Sequence, residues 1–92
     1  MRSRYTERDG KQAFVQMVAA AKRSGVDVTG WVLQTGSPSA GRAWRVFRED
    51  ERGGQASAFP GTDRGYIGWT PREACMFMDG VCNAFELLAV LA

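Results

Sequence analysis

The sequence predicts an α+β domain, an antiparallel sheet of three to four strands with two helices on one face, in the order α-β-β-β-(β)-α. Three observations predict it. A capped, broadly apolar segment fills positions 70–92 (TPREACMFMDGVCNAFELLAVLA), and a second stretch with helical periodicity covers 8–24. Between them lie short segments rich in β-branched and aromatic residues. The turns separating these segments are too short for crossover helices, so they impose antiparallel pairing. Ninety-two residues leave room for one core, and 1–92 is read as a single domain.

Residues 1–6 (MRSRYT) form a short basic arm. Thr6, with Asp9 three residues on, marks a helix start. Phe14, Met17, Val18 and Ala21 then recur at helical spacing. Lys22 and Arg23 suit the negative end of the helix dipole and Gly25 ends the helix, which should cover 8–24. The run Ala19-Ala20-Ala21 permits close backbone approach by the sheet or the last helix. A first strand is expected over 28–35 (VTGWVLQT) and a second over 42–48 (RAWRVFR). A weaker edge strand is expected over 55–59 (QASAF), and a short extended segment over 66–69 leads into the last helix.

That helix opens on Thr70-Pro71-Arg72-Glu73. Thr70 caps the free amides, Pro71 takes the first helical position, where its missing N–H costs nothing, and Glu73 reaches back to close a capping box. At 100° per residue, Phe77, Val81, Ala84, Phe85, Leu88 and Leu91 share one broad face, opposite a narrow stripe of Arg72, Asp79, Asn83 and Glu86. Two fates are open to such a face: the domain's own core, or a homodimer interface built from Phe77, Val81, Phe85, Leu88 and Leu91.

Composition excludes several function classes. No histidine is present, which removes Ser-His-Asp and Cys-His catalysis and every ordinary zinc site. Cys75 and Cys82 are seven residues apart on one helix, so their Cα atoms lie about 10 Å apart, beyond disulfide reach. They read as buried free thiols of a reducing compartment. The carboxylates Asp27, Asp63, Asp79 and Glu86 show no pairing in their spacing, so no enzyme activity and no cofactor are expected. Twelve basic residues, ten of them Arg, against ten acidic ones give a net charge of +2, too balanced to announce a nucleic-acid binder alone. The basic start carries no apolar stretch of a secretory signal, and charges interrupt the apolar C-terminal segment. No membrane span and a cytoplasmic location are expected.

The residues best suited to binding are Arg42, Trp44, Arg45 and Arg48 on the second strand, with Trp31 on its neighbour. Arginine offers bidentate contacts to carboxylate or phosphate, and tryptophan a stacking surface. On an alternating strand, Trp44 and Val46 share a face with Arg42 and Arg48, while Arg45 and Phe47 share the other. The competing reading makes Trp44 and Phe47 core residues and the arginines solvated partners of residues 49–51. The loop 36–42 (GSPSAGR) offers Ser37 and two glycines as a small anion nest, or plain turn geometry. It lacks the GK[ST] ending of a P-loop and is followed by a strand. Tyr66, Trp69 and Arg72 ahead of the last helix read as structural.

The element order matches that of double-stranded-RNA-binding domains, but the lysine cluster and histidine of that family are missing here. The blocks GSPSAGRAWRVF (36–47) and GYIGWTPREACMFMDG (65–80) are similar to small uncharacterised accessory proteins of actinobacterial phages and prophages, over about a third of the chain. That resemblance implies a compact protein working inside a bacterial host on a host or phage macromolecule, and brings no catalytic residues. The expected function is a non-catalytic interaction module that meets an acidic protein partner. The alternative is a nucleic-acid or nucleotide binder, with Arg42, Arg45, Arg48 and the Arg2/Arg4 arm on phosphates and Trp44 or Trp31 stacking.

Overall fold

The computed structural model describes residues 5–36, 39, 41–59 and 65–91, with Leu91 described by its backbone alone. The elements follow the expected order: α1 (Glu7–Arg23), β1 (Trp31–Gln34), β2 (Trp44–Glu49), β3 (Gln55–Ser57), β4 (Tyr66–Gly68) and α2 (Pro71–Leu91). They build the α+β fold read from the sequence, a four-stranded antiparallel sheet with two helices. Arg2 and Arg4 of the arm, and the loop segment 60–64 with Asp63, lie outside the described residues.

Both helices begin on the caps their sequences carry. The Asp9 amide donates to Thr6 Oγ1 at 3.3 Å, and the Asp9 carboxylate accepts from the Thr6 amide at 2.8 Å. At α2 the Glu73 amide donates to Thr70 Oγ1 at 3.1 Å, while Glu73 Oε1 accepts from the Trp69 and Thr70 amides at 2.9 and 3.1 Å. Those two amides hold the Glu73 carboxyl below its ordinary value of 4.5.

Strand ends shift from the expected positions where local turn chemistry competes. The Thr29 amide donates to Asp27 Oδ1 at 3.0 Å and the Trp31 amide to the Val28 carbonyl at 3.2 Å, so β1 starts at Trp31 rather than at Val28. The Ser57 hydroxyl donates to the Phe59 carbonyl at 2.7 Å and accepts the Phe59 amide at 3.2 Å, which ends β3 two residues early.

The sheet is organised around β2. One edge of β2 pairs with β1 in the register Trp31↔Arg48, Val32↔Phe47, Leu33↔Val46 and Gln34↔Arg45. The other edge is shared end to end. β3 takes Phe47 to Glu49, and β4 takes Trp44↔Gly68 and Arg45↔Tyr66 across a bulge at Ile67. The Val46 amide donates to the Gly65 carbonyl at 2.9 Å, which bridges the two short strands.

The core lies between one sheet face and the helices. Trp44, Met17, Met78 and Val46 are wholly buried, with Ala13, Phe59, Ile67, Ala74 and Cys75 around them. Ala20 and Ala21 are buried as the alanine run predicts, while Ala19 faces out. The helices run parallel. Gln16 of α1 lies beside Cys82, and Arg23 pairs with Glu86 at 3.3 Å. α2 continues five residues, about 7.5 Å, beyond Glu86.

The buried face of α2 differs from the face expected. It is turned toward Ala74, Cys75 and Met78, because α1 packs along that flank and small side chains admit it. Phe77, Val81 and Phe85 sit partly buried against the core, whereas Ala84 and Leu88 are exposed. Both cysteines are free. Cys75 is buried and Cys82 half-buried, and burial first, then nearby carboxylates, raises both thiols above 9.0. Among the described residues no helix is long and apolar enough to cross a membrane.

Two expected outcomes follow from this packing. A Cβ on Gly10 would stand 2.5 Å from the ring of buried Trp44, so Gly10→Ala should lower stability by about 1–2 kcal/mol in chemical denaturation, helix propensity offsetting part of the clash. The lowered Glu73 pKa means that its contribution is present above pH 4.5 and lost as pH falls through the folded-state value. Glu73→Gln should therefore flatten the acid limb of a stability–pH profile, and an unchanged limb would remove the carboxylate's role in the cap.

Candidate binding groove on the outer sheet face

Alternation along β2 sends Trp44 and Val46 toward the helices, and Arg45 and Phe47 to the opposite, outer face. Phe47 is nonetheless buried, with Arg45 folded over it. The guanidinium carbon lies 4.8 Å from the Phe47 ring centroid and 5.5 Å from that of Tyr66, the residue directly across in β4. Cation–π contacts of this kind contribute about 0.5–1 kcal/mol each at partly exposed sites. Their larger consequence is positional: they hold a long, flexible side chain flat on the sheet.

Beside this stack lies a groove of about 420 Å³ lined by Gln34, Gly41, Arg42, Ala43, Arg45, Tyr66 and Trp69. Gln34 faces Arg45 from β1, and its amide donates to the Ala43 carbonyl at 3.2 Å, which fixes that wall. Trp69 forms the opposite side, 52% exposed, with its backbone amide tied to Glu73. Arg42 stands exposed at the mouth just ahead of β2, and it forms no ion pair among the described residues. The Trp69 and Thr70 amides ahead of α2 donate to Glu73 and the Glu73 amide donates to Thr70 Oγ1, and the cationic side chains that line the groove are Arg42 and Arg45.

Of the residues singled out in the sequence, the structure brings Arg42 and Arg45 together. It does not bring Trp44, which lies wholly buried on the other side of the sheet and presents no surface for a ligand to stack on. Trp31 is likewise on the helix side. Its ring meets Phe59 edge-on at 5.6 Å and Phe85 at 6.5 Å, in an aromatic chain that continues from Phe59 to Phe77 at 5.4 Å.

Of the five expected interface residues, Phe77, Val81 and Phe85 are partly buried against the chain's own core and Leu88 is exposed. The Leu91 side chain lies outside the described residues. Arg48 occupies the far end of β2, in a separate depression with Glu49 and Asp50. Ser37 and most of the GSPSAGR loop lie outside the described residues.

Sequence reasoning missed Gln34, Tyr66 and Trp69 as groove walls. Tyr66 and Trp69 were visible as aromatics ahead of α2, but their neighbour across the sheet is set by β4 skipping β3 to pair with β2. The groove contains guanidinium groups, two aromatic rings and a fixed amide. It can hold a planar anionic group and an apolar or aromatic neighbour. Among the described residues no three His, Cys, Asp or Glu side chains are grouped to hold a metal ion. No protein-family model matches the chain, and no curated protein or solved structure is significantly similar to it.

The two tryptophans should separate cleanly on substitution. Trp44→Ala is expected to cost about 3–5 kcal/mol, whereas exposed Trp69→Ala should change stability by less than about 0.5 kcal/mol. Equal losses in denaturant unfolding would place Trp69 in the core and close the groove.

Proposed function

We propose that the protein is a small non-catalytic interaction module that takes an acidic segment of a partner protein into the groove between Arg42, Arg45, Tyr66 and Trp69. The observation that carries this reading is Arg42, exposed and without an ion pair among the described residues, beside an aromatic wall and an Arg45 already held flat. A carboxylate engages Arg42 through paired hydrogen bonds, and an adjacent apolar side chain covers Trp69. The similarity to accessory proteins of actinobacterial phages and prophages fits a cytoplasmic protein acting on a host or phage factor. The working unit in this reading is a homodimer.

A second reading keeps the same groove for a nucleotide or single-stranded nucleic acid. Phosphates would lie on Arg42 and bases on the exposed rings of Tyr66 and Trp69. It is favoured by those two rings and weakened by the separation of Arg48 from the groove and by a net charge of only +2.

Titration of the intrinsic tryptophan fluorescence with a glutamate-rich peptide containing leucine, and separately with oligothymidine, tests both. The peptide should bind, and Arg42→Ala should weaken it roughly tenfold, about 1.4 kcal/mol. Oligothymidine binding with a steep salt slope and no response to the peptide would transfer the groove to the second reading. Binding of either probe indifferent to Arg42→Ala would remove the groove as the site.

A further inference from the structure

Short side chains leave a second groove where the two helices meet. On α1, Asp9, Gln12, Ala13 and Gln16 share one helical face over two turns, about 10 Å. On α2, Cys75 and Asp79 stand one turn apart and line the other side. Ala13 and Cys75, both buried, are too short to fill the space between the helices and form its floor. The cavity above them is about 300 Å³, with Tyr5 also in its wall.

The lining is chemically one-sided. It holds two carboxylates, two carboxamides and a phenol, and no lysine or arginine. Elsewhere on the helices, Glu7 is ion-paired with Lys11, Glu86 with Arg23, and Glu73 holds the α2 cap. The two groove carboxylates are different. Asp9 uses Oδ2 for the α1 cap, and its Oδ1 makes no bond among the described residues. Asp79 has neither an ion pair nor a hydrogen bond among the described residues.

The floor supplies an independent observation. Cys75 is 3% exposed, yet it lines the groove, and its thiol has no hydrogen-bond partner among the described residues. Burial, and after it the charges of Asp79 and Asp9, hold the proton on that thiol, so the field of both carboxylates reaches the floor. A thiol sulfur is a weak acceptor. It adds to a surface already made of acceptors.

From this lining we propose that the groove between α1 and α2 takes the guanidinium of an arginine side chain from a partner protein, held between Asp9 and Asp79 with the ring of Tyr5 beside it. A guanidinium carries five N–H donors in one plane, which suits the many acceptors here better than the three donors of an ammonium. Its flat face also stacks on an aromatic ring, and Tyr5 is 39% exposed. Asp9, Gln12, Gln16 and Asp79 are all exposed, so the groove covers one end of a guest rather than enclosing a whole small molecule. That suits a side chain delivered by a larger body. The site lies in the helical layer and does not depend on the Arg42–Arg45 groove of the outer sheet face.

Amide NMR of the nitrogen-labelled full chain, titrated with a blocked alanine–arginine–alanine tripeptide, tests this. Wild type should bind with millimolar affinity, with shifts confined to residues 9–16 and 75–79. Asp79→Asn should weaken binding roughly tenfold and leave the rest of the spectrum, and so the fold, unchanged. Gln12→Lys, which puts a cation of the chain's own into the groove, should abolish binding. The same peptide with citrulline, which keeps the shape without the charge, should not bind. Absence of shifts, shifts elsewhere on the chain, or binding indifferent to both substitutions overturns the site. A lysine peptide that binds as tightly overturns the guanidinium assignment. Shifts at Asp79 on Arg2→Ser and Arg4→Ser without peptide would give the groove to the chain's own basic arm and overturn the partner.

Discussion

The indole of Trp44 against the backbone of α1 at Gly10 is the contact on which the rest of the fold depends. Trp44 is at the start of β2, the strand that every other strand pairs with, and its ring reaches the first helix where the absence of a side chain lets it enter. Sheet and helical layer are therefore fixed to each other at one point before the remaining core closes around Met17, Val46 and Met78. The contact carries a polar cost, because Trp44 Nε1 is buried without a hydrogen-bond partner among the described residues. Burying an aromatic surface of 150–250 Å² is worth about 4–6 kcal/mol. That exceeds the about 1–3 kcal/mol lost on the unpaired N–H. Volume at the helix–sheet junction outweighs polar satisfaction.

The same strand sets what lies outside. Once Trp44 and Val46 are turned inward, alternation leaves Arg45 and Phe47 on the outer face. A buried phenyl on a face with no helices needs a cover, which Arg45 and Tyr66 provide. The arginine that appears in the sequence as a free binding group is therefore first a lid over Phe47 and only then a lining residue of the groove. Arg42, one residue outside the packed part of the strand, has no such duty. The two arginines differ in role although they are three residues apart.

Much of the fold could be read from the sequence because its signals are local. Thr6 with Asp9 and Thr70 with Glu73 write both helix starts into four-residue spans, and glycine-containing turns separate the strands. What failed to show was decided at long range. RAWRVFR carries an aromatic and an arginine on each face, so no pattern within it tells which aromatic faces the helices; that is settled by Gly10, more than thirty residues upstream. Likewise, the α2 face seen by the core was turned by α1, whose position along Cys75 and Cys82 has no trace in the periodicity of α2 itself. The groove needed β4 to pass β3 and pair with β2, which places Tyr66 and Trp69 beside arginines some twenty residues earlier.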